Sequence, residues 1–308
     1  MADKSSDTSN DESRDQTAHT EAPSELSRRE FVAMSIGAGL AAAAGSASGA
    51  DMPVTEKNVE IKTPDGTCDA AFIYPNSGSH AAVIVWPDAF GLRPSMRDIG
   101  KRLAAEGYAV LVPNPFYRVK KGLAVDDPST FSFGNQADMA KIQPLMASIN
   151  AAGAVEKDAP AFVQWLDQQP QVNKSKKIGT QGYCMGGALV VRTAAALPDR
   201  VGAGASFHGG GLVTNNPNSP HLLAPKIKAR MYFGVAKNDD ERQPDAKDKL
   251  REAFAAAKVP AEIEVYPAMH GWCVPDMPKQ PNGEPIYSKP DAEKAWTKLI
   301  ALYKAGTA

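Results

Sequence analysis

Cysteine is scarce in this chain: three residues in 308, Cys68, Cys184 and Cys273, with no Cys-x-x-Cys spacing. That excludes a disulfide scaffold, and an odd count leaves at least one thiol free or paired with another chain. Charge of one sign is lacking as well. The formal net charge is −1 and no run of five lysines or arginines occurs, so nothing marks a nucleic-acid footprint, and a small molecule is the default partner. No cluster of His, Asp and Glu has metal-ligand spacing, so neither a metal nor an organic cofactor is implied.

The twenty residues 31–50 carry no charge and have membrane-spanning length, but they are mostly Ala, Gly and Ser. Those residues give far less transfer energy than Leu or Ile, so removal is favoured over retention as an anchor. An Asp-, Glu-, Ser- and Thr-rich head precedes it, ending at Ser27-Arg28-Arg29-Glu30-Phe31-Val32, and the stretch closes on Ser48-Gly49-Ala50. Small residues there suit a signal peptidase. Residues 1–50 therefore resemble a disordered acidic head plus a twin-arginine signal peptide, and residues 51–308 are left as one globular domain. The resemblance implies the twin-arginine export machinery as a partner, a periplasmic or otherwise extracytoplasmic destination, and membrane contact only through the signal segment. Export after folding would also enclose an unpaired thiol before it meets an oxidising compartment.

From Lys57 onward, short runs rich in Val, Ile and aromatics alternate with helical spacing. Strands are predicted near 57–62, 69–74, 82–86, 108–112, 175–180, 201–207, 229–234 and 261–266. Helices are predicted over 95–106, 161–166, 185–196, 245–257 and 291–303. Such alternation predicts an α/β fold, with a mostly parallel sheet of about eight strands and helices on both faces. The first two strands meet at Pro64-Asp65-Gly66, a turn signal, which predicts an antiparallel edge. Two long connections, 119–153 and the proline-rich 274–290, are read as lids or substrate walls, with a plain surface loop as the alternative for the proline-rich one.

The chemistry is carried by Gly182-Tyr183-Cys184-Met185-Gly186-Gly187, between a strand and a helix. This has the form of a nucleophile elbow with Cys in the usual Ser place. A side chain on so sharp a turn projects from the sheet, glycines remove colliding Cβ atoms, and the helix N-terminus favours developing negative charge. The alternative for Cys184 is a small buried apolar residue. A nucleophile also needs a base and a group that orients the base, in the order nucleophile, acid, histidine on such a fold. Of five histidines, His270 alone has that order and position, after the strand that ends at Tyr266. His208, after Ser206-Phe207, competes and is read as a pocket wall. The acid lies in the Asp239-Asp240 pair, where only one of two neighbours can face the base; Asp240 is preferred.

At these residues the chain resembles the dienelactone hydrolase family, over roughly Pro64 to Leu302. The resemblance implies an α/β-hydrolase fold and a Cys-Asp-His triad of Cys184, Asp240 and His270, acting on an ester or lactone. It also implies that the backbone amides of Ala89 and Met185 receive the oxyanion, because Val83 to Gly91 matches the family's segment after its third strand. Asp88 stands where the family often has a Glu that contacts the resting thiol; if it points at Cys184, it keeps that thiol protonated. Arg93, Arg97 and Arg118 are the arginines available to meet a substrate carboxylate, against the alternative of surface arginines. Phe90, Arg93, Tyr183, His208 and Trp272 are read as pocket residues. Two other functions fit the same residues: an acyltransferase using the same acyl-enzyme, and a non-catalytic periplasmic binding protein on a hydrolase scaffold.

The paired arginines generate a prediction about export. Arg28→Lys with Arg29→Lys is expected to leave a full-length precursor in the cytoplasm, seen by fractionation and immunoblot. A mature form starting near Asp51 from that double variant would refute the signal.

Overall fold

The computed structural model describes residues 52–308. The expected acidic head, signal peptide and cleavage site lie outside the described residues.

Eight strands follow the pattern of β-branched and aromatic runs: β1 (Val54–Thr63), β2 (Gly66–Pro75), β3 (Ala82–Trp86), β4 (Ala109–Pro113), β5 (Ile178–Tyr183), β6 (Val201–Phe207), β7 (Arg230–Ala236) and β8 (Ala261–Tyr266). They form one sheet in the order β1-β2-β4-β3-β5-β6-β7-β8. The hairpin β1–β2 and the pair β2–β4 are antiparallel, and the rest of the sheet is parallel. Every residue of β3, β4 and β5 is buried, as expected of central strands covered on both faces. The strands at the two edges, β1 and β8, are largely exposed or half-buried.

Among the described residues seven α-helices connect and cover the strands: α1 (Pro94–Ala105), α2 (Gln136–Asn150), α3 (Ala154–Leu166), α4 (Met185–Ala196), α5 (Lys237–Arg242), α6 (Ala246–Ala256) and α7 (Lys289–Gly306). Met96 and Leu103 of α1 pack with Leu299 and Tyr303 of α7 in one core; Phe162 of α3, Leu189 of α4 and Phe254 of α6 belong to the other. A mostly parallel eight-stranded sheet with helices packed into both cores gives the α/β-hydrolase architecture that the alternation predicts.

One connection predicted as a loop is corrected, and the segment carrying the Asp239-Asp240 pair proves to be helical. The connection 119–153 contains α2, which Asn135 caps by accepting hydrogen bonds from the Ala137 and Asp138 amides. An internal Pro144 and a weakly apolar pattern hide this helix in the sequence. The segment after β7 is the short helix α5 rather than an open loop. The strand predicted at 175–180 runs instead from Ile178 to Tyr183, reaching the elbow directly.

The sheet's contact with its last helix is close enough to require glycine. A Cβ on Gly202 in β6 would collide with the Gly306 carbonyl oxygen at the end of α7, and one on Gly306 would stand 2.6 Å from the Gly202 oxygen. Overpacking of this kind costs about 1–3 kcal/mol. Gly202→Ala is therefore expected to lower the urea midpoint by a corresponding amount, without changing the slope of the transition. A wild-type midpoint would contradict the contact.

Candidate active site

Cys184 sits between β5 and α4 with φ 53° and ψ −119°, a region that side chains other than glycine rarely adopt. Holding it there costs of order 1–3 kcal/mol, which the surrounding structure must supply. Three glycines make the turn possible. A Cβ on Gly182 would strike the Gly186 carbonyl, one on Gly186 would lie 2.5 Å from the Trp86 oxygen, and one on Gly187 would strike the Ser206 hydroxyl. Helix α4 thus approaches β3 and β6 at backbone distance. The Trp86 indole N–H, donating 3.0 Å to Thr193 Oγ1, fastens it further.

His270 follows β8, and its backbone N–H donates to Asn238 Oδ1 at 2.8 Å. The imidazole Nδ1 lies 2.6 Å from Asp239 Oδ2, and the ring also faces the Cys184 sulfur. Sulfur, imidazole and carboxylate therefore stand in series. Asp240, the acid preferred from sequence, is turned away and forms an ion pair with Lys247 at 2.7 Å. The correction follows from α5: consecutive helical residues point about 100° apart, so once Asp239 faces His270, Asp240 faces α6. Arg242 holds the outer Asp239 oxygen at 2.6 Å, completing the fixation of the carboxylate.

Burial works against a charged His270, but the Cys184 sulfur and then the hydrogen-bonded Asp239 override it and push its pKa up to about 10. His208 is the opposite case. Its full burial, with the charge of His270 beside it, holds it well below the ordinary histidine value. Its ring sits edge-on to His270 with centroids 4.8 Å apart, and Nδ1 accepts the Cys184 backbone N–H at 3.1 Å. It lies beneath the elbow rather than on a pocket wall.

Cys184 and Met185 open onto a groove of about 880 Å³, lined also by Met146, Glu156, Arg192 and Leu223. None of Phe90, Arg93, Tyr183, His208 and Trp272 lines it. Phe90 is buried against Phe131 and Phe133, with centroids 5.1 and 5.6 Å away. Tyr183 precedes Cys184 and so projects to the other side, stacking on Phe207 and accepting from Gln181 Nε2 at 2.8 Å. Trp272 is wholly buried and stacks on Tyr266 at 4.8 Å. Sequence reasoning missed the groove residues of α2 and α3 because α2 was not legible.

The arginines are likewise committed elsewhere. Arg93 is buried and donates to both Asp88 oxygens, at 2.7 and 3.0 Å. Arg97 pairs with Glu56, and Arg118 with Asp158 and Asp65. Asp88 therefore does not guard the thiol: Arg93 and the Phe90 N–H, 2.9 Å from Oδ1, occupy its carboxylate. The Phe90 and Gly91 amides are taken within this turn, whereas the Ala89 N–H has no acceptor among the described residues. The same holds for the Met185 N–H at the start of α4. Among the described residues no group of three His, Cys, Asp or Glu side chains is placed to hold a metal ion.

The position of His270 between sulfur and carboxylate sets an expectation for its titration. Followed by imidazole carbon shifts in NMR, His270 is expected to stay protonated through pH 8 and to titrate near pH 10. Cys184→Ala removes the neighbour that does most to raise this pKa, so it is expected to move the titration downward. An unchanged midpoint in that variant would show that sulfur and imidazole do not communicate.

Comparison with known proteins gives the chain's family. A family model described as the dienelactone hydrolase family matches residues 68–306. A carboxymethylenebutenolidase of Rhodococcus opacus is 28% identical over 220 residues, covering 70% of this chain and 80% of that protein. Among solved structures, the dienelactone hydrolase-like promiscuous phosphotriesterase P91 from metagenomic libraries superposes with a TM-score of 0.66 at 22% identity, covering 83% of this chain and 99% of that one. A dienelactone hydrolase from Anabaena variabilis gives a TM-score of 0.54 at 15% identity, with 83% and 99% covered. At those identities the two structures speak for the fold alone.

Proposed function

From the premise that the chain belongs to the dienelactone hydrolase family, whose members are hydrolases acting on ester bonds, we propose that it cleaves esters or lactones through a thioester on Cys184. The reading rests most on the series of Cys184, His270 and Asp239, with the 2.6 Å contact between the last two. A half-buried carboxylate on Nδ1 fixes the ring's orientation and leaves the other nitrogen for the reacting groups.

In the first half-reaction the Cys184 sulfur attacks the carbonyl carbon, and the carbonyl π electrons move to oxygen. The Ala89 and Met185 amides receive that oxyanion, a role for which donors must be fixed before charge develops. As the tetrahedral species collapses, the C–O bond to the leaving group breaks. His270 gives its proton to the departing alkoxide, leaving a thioester. In the second half-reaction neutral His270 takes a proton from water, hydroxide adds to the thioester, and the thiolate leaves with the carboxylic acid released. For a lactone the leaving alkoxide stays tethered, so ring opening yields one hydroxy acid. The open groove beside Cys184 accommodates the acyl or alcohol portion.

Protein mixed with p-nitrophenyl acetate is expected to show a transient acetyl adduct on Cys184 by mass spectrometry, together with release of nitrophenolate. Cys184→Ala is expected to abolish both. Asp239→Asn is expected to lower kcat by about 100-fold or more, and Asp240→Asn only a few-fold, since it touches Lys247 and not the imidazole. Equal effects of the two Asn variants would remove Asp239 from the series. Absence of any adduct in the wild type would instead favour a binding protein.

A further inference from the structure

Arg93 does more than neutralise Asp88. Its guanidinium is buried and meets two carboxylates from distant parts of the chain. One fork, Nη1 and Nη2, engages Asp88 at 2.7 and 3.0 Å; the other, Nε and Nη2, engages Asp276 at 2.8 and 2.7 Å. Nη1 also donates to the Gly91 carbonyl at 3.3 Å. Both forks have the planar two-point geometry that only arginine supplies.

The two carboxylates belong to the two loops on which the proposed reaction depends. Asp88 immediately precedes Ala89 and caps its own turn through the Phe90 amide, while the Gly91 N–H closes that turn on the Asp88 carbonyl at 3.0 Å. Asp276 lies six residues beyond His270, at the head of the proline-rich segment. Between them the chain is held by short turns, Trp272 N–H to Met269 and Val274 N–H to Gly271. Asp276 is thus rigidly connected to the base, as Asp88 is to the oxyanion amide.

We infer that Arg93 is a positioning residue, a clamp that joins the loop presenting the Ala89 amide to the loop carrying His270 and so fixes the oxyanion donor relative to the base. The inference rests on the proposed hydrolytic reading for its catalytic consequence, but the clamp itself is a statement about the two loops. Burial disfavours the charged guanidinium, and the two carboxylates, Asp88 first, more than compensate and hold it charged. Asp276 is the accessible half, with its side chain 30% exposed against 2% for Asp88. It can be altered without leaving a deeply buried charge unpaired.

The test is Asp276→Asn in the mature protein, with Arg93→Lys as a second variant that keeps the charge and loses the double fork. Three readouts are compared with wild type: amide hydrogen exchange of the peptide containing residues 88–91, turnover of p-nitrophenyl acetate, and alkylation of Cys184 by iodoacetamide. Alkylation needs the sulfur and its histidine but no oxyanion donor. The expected result is faster exchange at 88–91, kcat lowered about tenfold with KM within twofold, and alkylation within twofold of wild type. The loss in kcat is smaller than the about 100- to 1,000-fold that follows outright removal of an oxyanion donor. Unchanged exchange at 88–91 would overturn the clamp, as would alkylation falling in step with turnover, which marks general damage to the site. Faster exchange in a protein whose wild type turns over no ester would uphold the clamp and strike the hydrolytic reading alone.

Discussion

The structure depends on one close approach, that of helix α4 to the sheet at the elbow. Cys184 can hold a left-handed backbone only because Gly182, Gly186 and Gly187 let the helix backbone touch β3 and β6 without an intervening Cβ. The close approach places the sulfur at the start of α4, where unsatisfied amides and the helix dipole favour negative charge. It also places the Met185 amide beside the sulfur and directs the Cys184 N–H onto His208 and the Phe207 carbonyl. Strain at one residue is thus tied to the orientation of each group around it.

Electrostatics divides the two neighbouring histidines, His208 buried and His270 half-buried, between different tasks. His270 keeps its proton because an aspartate and a sulfur face it, and that charge, added to burial, keeps its neighbour His208 neutral. A neutral imidazole can accept the Cys184 amide on Nδ1, whereas an imidazolium would have no lone pair to offer. The protonation of one ring therefore secures the hydrogen bond made by the other, 4.8 Å away. This is a coupling that neither residue would show alone.

Fold class, the number of strands and the elbow were legible in the sequence because each is written in a local pattern: alternating apolar runs, helical spacing, glycines around a cysteine. That His270 follows the last strand was legible too. What failed depended on side-chain direction within a few residues. Asp239 and Asp240 differ by one step of α5, and no periodic apolar face announces a six-residue helix. Tyr183 and Trp272 lie within two residues of Cys184 and His270 in sequence, yet pleating and a tight turn send them into the core. Arg93 looks like a surface arginine until Asp276, 183 residues away, is brought beside it. Such long-range pairing has no signature in a single sequence.

The length of the side chain at position 88 then explains why the turn is built as it is. An aspartate carboxylate can reach the amide two residues on and cap its own turn, as Asp88 does with Phe90 at 2.9 Å. A glutamate is one methylene too long for that closure, and its carboxylate would be carried outward. Once the aspartate carboxylate is fixed within the turn, it offers a stationary anion for Arg93. The guanidinium can then bridge to Asp276 without searching among rotamers, since its planar fork is already oriented. The shorter acid is thus spent within its own turn, on the Phe90 amide and the Arg93 guanidinium, and fixes the loop that carries Ala89.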